Sequence, residues 1–131
     1  MSRSKHIITF LFIVSCTFSI AQNEILVPNR VGNSWGFKAI NGTKTIKAVY
    51  DSVVHFSHYI DTKKGAKHAL VQKGNLWGLI DMQGKTVIPI EYEQLRQVSE
   101  NNPSYYIAKN KKGKFGLLYK KKFLTAFTYD T

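Results

Sequence analysis

The chain has 131 residues, the length of one ordinary domain. Its hydrophobic share of 44% is that of a globular protein and excludes a natively disordered chain. The formal charge of +11 makes anions the natural counterparts of its surface and says nothing about the fold.

The first segment reads as a processing signal rather than as part of the fold. Met1 to His6 carries Arg3 and Lys5 and no acid, and Ile7 to Ile20 is an uncharged, largely apolar run. Ser19-Ile20-Ala21 then supplies small residues at both recognition positions of a cut after Ala21. This order is that of a secretory signal peptide over residues 1–21, expected to be helical, which makes the protein exported to the periplasm, the cell envelope or the medium. The apolar run is shorter than the roughly 20 residues that span a bilayer, which speaks against a membrane anchor. A second route is lipidation, since Ile13-Val14-Ser15-Cys16 is similar to a lipobox; only then is a membrane partner expected. Cys16 is the single cysteine, so a chain cut after Ala21 has no disulfide and no thiol chemistry. Losing Arg3 and Lys5 leaves a net charge of +9.

From residue 22 onward the chain reads as one domain of tandem β-repeats, at about 25–51, 68–93 and 104–130. Trp35-Gly36, Trp77-Gly78 and Phe115-Gly116 recur 42 and 38 residues apart. Each leads, after 15, 15 and 14 residues, to an aromatic-acidic pair: Tyr50-Asp51, Tyr92-Glu93 and Tyr129-Asp130. A glycine turn precedes each copy (Gly32-Asn33, Gly74-Asn75, Lys112-Gly113), and a second follows the Trp-Gly of the first two (Asn41-Gly42, Gln83-Gly84). In the third copy Lys120-Lys121 stands where that second glycine turn is expected. Each repeat therefore reads strand, turn, strand, turn, strand. In the second copy the strands are expected at His68–Lys73, Leu76–Asp81 and Lys85–Ile90, rich in Val, Ile, Leu and aromatics. The Gly-Asn and Asn-Gly pairs suit hairpin loops whose central residues take positive φ. The glycine after each aromatic is expected to admit an indole or a neighbouring strand at close range. Pro89 removes a donor and places the third strand at an edge or in partial pairing. Ser52–Lys67 and Leu95–Pro103 read as links, the first holding enough apolar residues to need packing, as one helical turn and a strand. The fold class is thus all-β: three antiparallel hairpin repeats in an open curved solenoid or half-barrel. The tryptophans and tyrosines are expected in a core shared between stacked repeats.

Residues 74–93, Gly-Asn-Leu-Trp-Gly-Leu-Ile-Asp-Met-Gln-Gly-Lys-Thr-Val-Ile-Pro-Ile-Glu-Tyr-Glu, resemble the WG repeat family. The first copy keeps Trp-Gly, the Asn-Gly turn and Tyr-Asp, with Ile46-Lys47 where the proline stands in the second. The third keeps the aromatic-Gly pair, the hydrophobic stretch and Tyr-Asp. The resemblance implies a bacterial β-repeat protein, often secreted or envelope-attached, and supplies no catalytic residues. On that reading Trp35, Gly36, Tyr50, Trp77, Gly78, Tyr92, Phe115, Gly116 and Tyr129 are structural repeat positions.

No constellation calls for catalysis. His55 and His58, with Asp61 and His68 downstream, are the only metal-like group; in a strand the i and i+3 side chains point apart, so packed or surface histidines are expected. Asp81, Glu91 and Glu93 offer carboxylates, but Asp81 and Glu93 recur with the repeat, and an aspartate at a turn accepts backbone donors by itself. No Gly-x-Ser-x-Gly elbow marks a nucleophile, and Gly113-Lys114 lacks the upstream glycine of a phosphate loop, position 108 being alanine. No enzyme activity, cofactor, metal or nucleic-acid partner is expected. One feature lies outside the repeat pattern: Lys109, Lys111, Lys112, Lys114, Lys120, Lys121 and Lys122, interleaved with aromatics. Two readings stand for them. They keep the surface soluble and blunt an exposed sheet edge, or they contact an envelope polyanion. The expected function is a binding or scaffolding module of the envelope, meeting a polyanion or another envelope protein. The alternatives are an assembly subunit that completes its sheet with a partner or by dimerisation, and a small hydrolase.

Overall fold

The computed structural model describes residues 24–56, 58–59, 67–99 and 101–130. The expected signal-peptide helix and Cys16 lie outside them. The described residues form twelve strands and no helix: β1 (Leu26–Val31), β2 (Ser34–Ala39), β3 (Thr45–Tyr50), β4 (Ser52–Val53), β5 (His58–Tyr59), β6 (Lys67–Lys73), β7 (Leu76–Asp81), β8 (Thr86–Tyr92), β9 (Gln94–Ser99), β10 (Asn102–Lys109), β11 (Phe115–Tyr119) and β12 (Lys122–Phe123). All pairings are antiparallel, and there are three sheets. The first has the order β1-β2-β3, the middle one β4-β6-β7-β8 with β5 also on β6, and the last β12-β11-β10-β9. The protein is all-β, its repeats are tandem antiparallel hairpins, and the sheets do not close into a barrel.

Alternation along the strands explains why the sheets stack. Leu70, Leu79, Ile88 and Tyr92 point from one face of the middle sheet into a cluster with Leu95, Tyr106, Ala108 and Leu118 of the last sheet. Ala69, Val71 and Ile80 point from its other face into a cluster with Leu26, Phe37, Ala39 and Tyr50 of the first sheet. The middle sheet is therefore covered on both sides, and β6 has four consecutive buried residues in place of a polar-apolar alternation. Phe56, just after β4, seals the first interface edge-on against Phe37, with ring centroids 4.6 Å apart.

The chain passes between sheets at the Tyr-acid pairs. β3 ends at Tyr50, the backbone bends at Asp51, and β4 joins the middle sheet; β8 ends at Tyr92, bends at Glu93, and β9 joins the last sheet. Both corners make the same backbone bond. Asp51 N–H donates to Gln72 O at 2.8 Å, and Glu93 N–H donates to Lys109 O at 2.9 Å. Segment 95–103, read from the sequence as a link, is mostly strand: β9 extends the last sheet exactly where β4 and β5 extend the middle one. Among its described residues, segment 52–67 forms no helical turn and contributes β4 and β5.

The turns obey backbone chemistry. Gly74 and Asn75 close the β6–β7 hairpin with φ of 58° and 63°, the left-handed values a two-residue loop requires. The turns of the third copy have changed places. Asp81 Oδ1 accepts from Gln83 N–H and Lys85 N–H in the loop after the second Trp-Gly; Asn110 Oδ1 accepts from Lys112 N–H and Lys114 N–H in the loop before Phe115-Gly116. The tight two-residue turn falls instead at Lys120-Lys121, and Lys120 takes a φ of 57°.

Candidate binding surface

The recurring aromatics are register partners in all three sheets. Trp35 lies opposite Tyr50, Trp77 opposite Tyr92, and Phe115 opposite Tyr129 through an isolated bridge. Just beyond each pair the facing strand carries extra residues. In the middle sheet Trp77 pairs Tyr92 but Leu79 pairs Ile88, so Pro89, Ile90 and Glu91 arch over Gly78. A Cβ on Gly78 would stand 2.6 Å from Ile90 Cγ1 and 2.8 Å from Ile88 O. Gly36 is covered in the same way by the backbone of residues 46–48, and Gly116 by the Phe127 ring at 3.1 Å. The glycine exists to admit this bulge, and Pro89 sits in it on the edge strand β8, where no ladder donor is lost. The tryptophans lie at the rim of the core, half-buried; Tyr50 and Tyr92 are the buried members of their pairs.

Each sheet turns its aromatic face forward, toward the sheet that follows in the chain. Phe37 and Leu79, two residues after the tryptophans, are fully buried by the next sheet. Nothing described covers the forward face of the last sheet. Tyr50 and Tyr92 are 7% and 4% exposed; Tyr129, at the same register position, is 58% exposed. A groove of about 420 Å³ opens there, lined by Arg96, Ile107, Phe115, Leu117, Tyr129 and Asp130. It has an apolar floor, with Arg96 on β9 at one edge and Asp130 at the other.

The structure does not gather the seven lysines into one patch. Lys109, Lys111, Lys112 and Lys114 lie at the β10–β11 turn, and Lys120, Lys121 and Lys122 at the opposite end of β11. Five strand residues separate the groups, about 17 Å and beyond the Debye length of roughly 8–10 Å in ordinary salt. Three of the lysines are engaged: Lys109 Nζ is 3.7 Å from Glu93 Oε2 and lies 5.8 Å over the Phe115 ring, Lys114 pairs with Asp130, and Lys120 Nζ lies 5.5 Å over the Tyr119 ring. Lys111, Lys112, Lys121 and Lys122 are exposed.

Compared with protein-family models, residues 77–115 match the WG containing repeat, from the Trp77-Gly78 strand to Phe115. This stretch is similar to a WG repeat. No curated protein and no solved structure matches the chain. The matched stretch runs across the corner at Glu93, from β7 and β8 of the middle sheet to β9 and β10 of the last.

Within the hairpin repeats three of the carboxylates are engaged locally. Asp81 closes its turn. Asp51 Oδ2 accepts from Gly74 N–H at 2.7 Å, tying the corner after the first sheet to the hairpin turn of the middle one. Burial, together with the neighbouring Glu91 carboxylate, pushes the Tyr92 phenol up to about 12. Of the histidines, His55 is exposed, His68 is buried, and His58 is the backbone register partner of His68; Asp61 lies outside the described residues. No group of three metal-ligating side chains occurs among the described residues. Arg96 and Ile107 were not singled out by the sequence pattern. Their signal is alternation: both lie on the Phe115 face of the last sheet, out of step with the buried Leu95, Tyr106 and Ala108.

Proposed function

We propose that the chain is a non-enzymatic, exported binding or scaffolding module of the cell envelope, and that the last sheet is its working surface. The observation that carries this reading is the pair of lysine clusters flanking an open, aromatic-floored groove at the end of a stack whose other forward faces are filled. Cations spaced along a strand suit an extended polyanion, which touches both clusters at once, better than a compact anion. Asp51 and Asp81 are tied to backbone N–H groups, and Glu93 and Asp130 pair with Lys109 and Lys114. Export follows from the order of charge, apolar run and small residues in the first 21 positions.

The test is co-sedimentation of the protein with isolated envelope material at about 50 and about 300 mM salt. The protein is expressed with its own leader, and its N-terminus is read by intact mass. Retention at low salt that is lost at high salt, and that falls in the Lys111→Glu and Lys121→Glu variants, is expected. Absence of retention at both salts, or retention indifferent to both variants, refutes the polyanion reading.

A further inference from the structure

The back face of the first sheet lies open at the other end of the stack. Leu26, Phe37 and Ala39 point forward into the core. Ile25, Val27, Val31 and Ile40 alternate with them and point back, where Ile40 is 68% and Val31 61% exposed. Ile25 and Ile40 are neighbours across β1 and β2, Ile40 N–H donating to Ile25 O at 3.1 Å. Val27 adjoins them, and Val31 continues the row past Asn29. An apolar row of this kind, rimmed by polar residues, marks an interaction site.

The cations on this face decide what the partner is. Val27 lies opposite Lys38, which stands two residues after the Trp-Gly glycine. The same position holds Ile80 in the middle sheet and Leu118 in the last, both buried by the sheet behind. A covering protein face would bury the Lys38 ammonium as it buries those side chains, and a charge without a partner is costly there. Lys47, also exposed, lies on the bulge that arches over Gly36 on the same side. Glu24, at the margin beside Ile25, pairs with Lys44 at 3.5 Å, and no acid among the described residues pairs with Lys38 or Lys47. The face is thus aliphatic and cationic at once. A bilayer with anionic headgroups accepts both: an ammonium stays in the phosphate layer while its stem and the aliphatic side chains reach the acyl boundary.

We infer that the back face of the first sheet docks on an anionic lipid bilayer. Ile25, Val27, Val31 and Ile40 enter the boundary between headgroups and acyl chains, and Lys38 and Lys47 pair with lipid phosphates. From the sequence a membrane partner is expected only with a lipid on Cys16; the folded face supplies one without it. The groove opens at the opposite end of the stack, two sheet spacings or about 20 Å away. A docked molecule therefore holds its groove and lysine turns away from the bilayer, open to a polymer of the envelope. The inference does not rest on polyanion binding, and both surfaces can be occupied at once.

Vesicle flotation tests this with the exported protein, its N-terminus again read by intact mass. Retention is expected on phosphatidylcholine vesicles containing about one third phosphatidylglycerol at about 50 mM salt, weaker at about 300 mM, and absent on phosphatidylcholine alone. Ile40→Ser and Lys38→Glu should each lower the partition coefficient by about tenfold, with unchanged circular-dichroism spectra. Tyr129→Ser, at the groove end, should leave it unchanged. No retention on the anionic vesicles, or equal retention on phosphatidylcholine alone, overturns the proposal. So does retention indifferent to both face variants, which would come from an uncut leader, or retention lost in Tyr129→Ser instead, which would put the groove on the bilayer. A sedimentation-equilibrium mass above one chain that returns to one in Ile40→Ser, without vesicle retention, gives the face to a second copy and also overturns it. Vesicles carry no envelope polymer, so failure of this proposal and failure of the polyanion reading are told apart.

Discussion

Gly78 and Gly32 show two different reasons for a glycine in one repeat. An alanine at Gly78 meets the backbone of the β8 bulge, which has to shift or lose its register. Overpacking of this kind costs about 1–3 kcal/mol and more where backbone resists. An alanine at Gly32 meets nothing within 4 Å but must adopt a φ of 61°, a cost of roughly 1–2 kcal/mol. Urea denaturation should therefore rank Gly78→Ala as the more damaging, and equal midpoints would show that β8 yields easily. The buried tyrosines set an alkaline limit. Burial raises Tyr50 and Tyr106, and burial followed by Glu91 raises Tyr92 from the ordinary 10.0 to about 12. A folded value above the unfolded one means that the unfolded chain releases protons which the folded chain retains. The stability contribution is then complete below pH 10 and declines as the pH rises toward about 12 for Tyr92. Denaturation midpoints measured across this window should fall, and Tyr92→Phe should make the fall shallower; a parallel decline in that variant would assign the loss to other groups.

At the scale of the elements, turns and corners hold the sheets in register. Asp81→Ala removes the acceptor of two backbone donors and should cost about 1–2 kcal/mol, whereas Asp81→Asn, which keeps an oxygen in place, should cost less. Asn110→Ala should behave likewise at the exchanged turn of the third copy. Lys120 holds a left-handed φ without a glycine, so Lys120→Gly should raise the thermal midpoint, by up to about 1 kcal/mol in stability terms. The glycine-asparagine turn of β6–β7, the Trp-Gly strands and the edge position of the Pro89 strand were legible from sequence, because each is dictated by backbone geometry within a few residues. β9 was not. Gln-Leu-Arg-Gln-Val-Ser carries too few apolar residues to announce a strand, and it becomes one by pairing with β10 across the corner at Glu93. The exchange of turns in the third copy was legible only in part: Lys120-Lys121 stood out as an anomaly, but its pairing as a two-residue hairpin depends on β12. Nor could repeat spacing show that Tyr129 is exposed while Tyr50 and Tyr92 are buried, since that difference is made by what covers each sheet.

For the whole molecule, stability is graded by how many faces of a sheet are covered. The two core clusters meet only through the middle sheet, in which Val71, Leu79 and Ile80 are fully buried and Ile88 nearly so. The first and last sheets each bury one face. Local opening should then start at the ends of the stack, where fewer apolar contacts are lost per strand released, and reach the middle last. Native-state hydrogen exchange should find the slowest amides in β6 and β7, which have strand neighbours on both sides and a sheet on each face. β3 and β12, edge strands of the outer sheets, should exchange first. Cavities separate the interfaces. Leu118→Ala, expected to cost about 2–5 kcal/mol, should accelerate exchange in the last sheet before the first, because its contacts lie in the cluster that the last sheet shares with the middle one. Val71→Ala, in the other cluster, should loosen the first sheet preferentially and by less, since fewer methyl groups are removed. Uniform acceleration in both variants would mean that the three sheets unfold as one cooperative unit, and that the two clusters are coupled through the middle sheet more tightly than nearest-neighbour stacking allows.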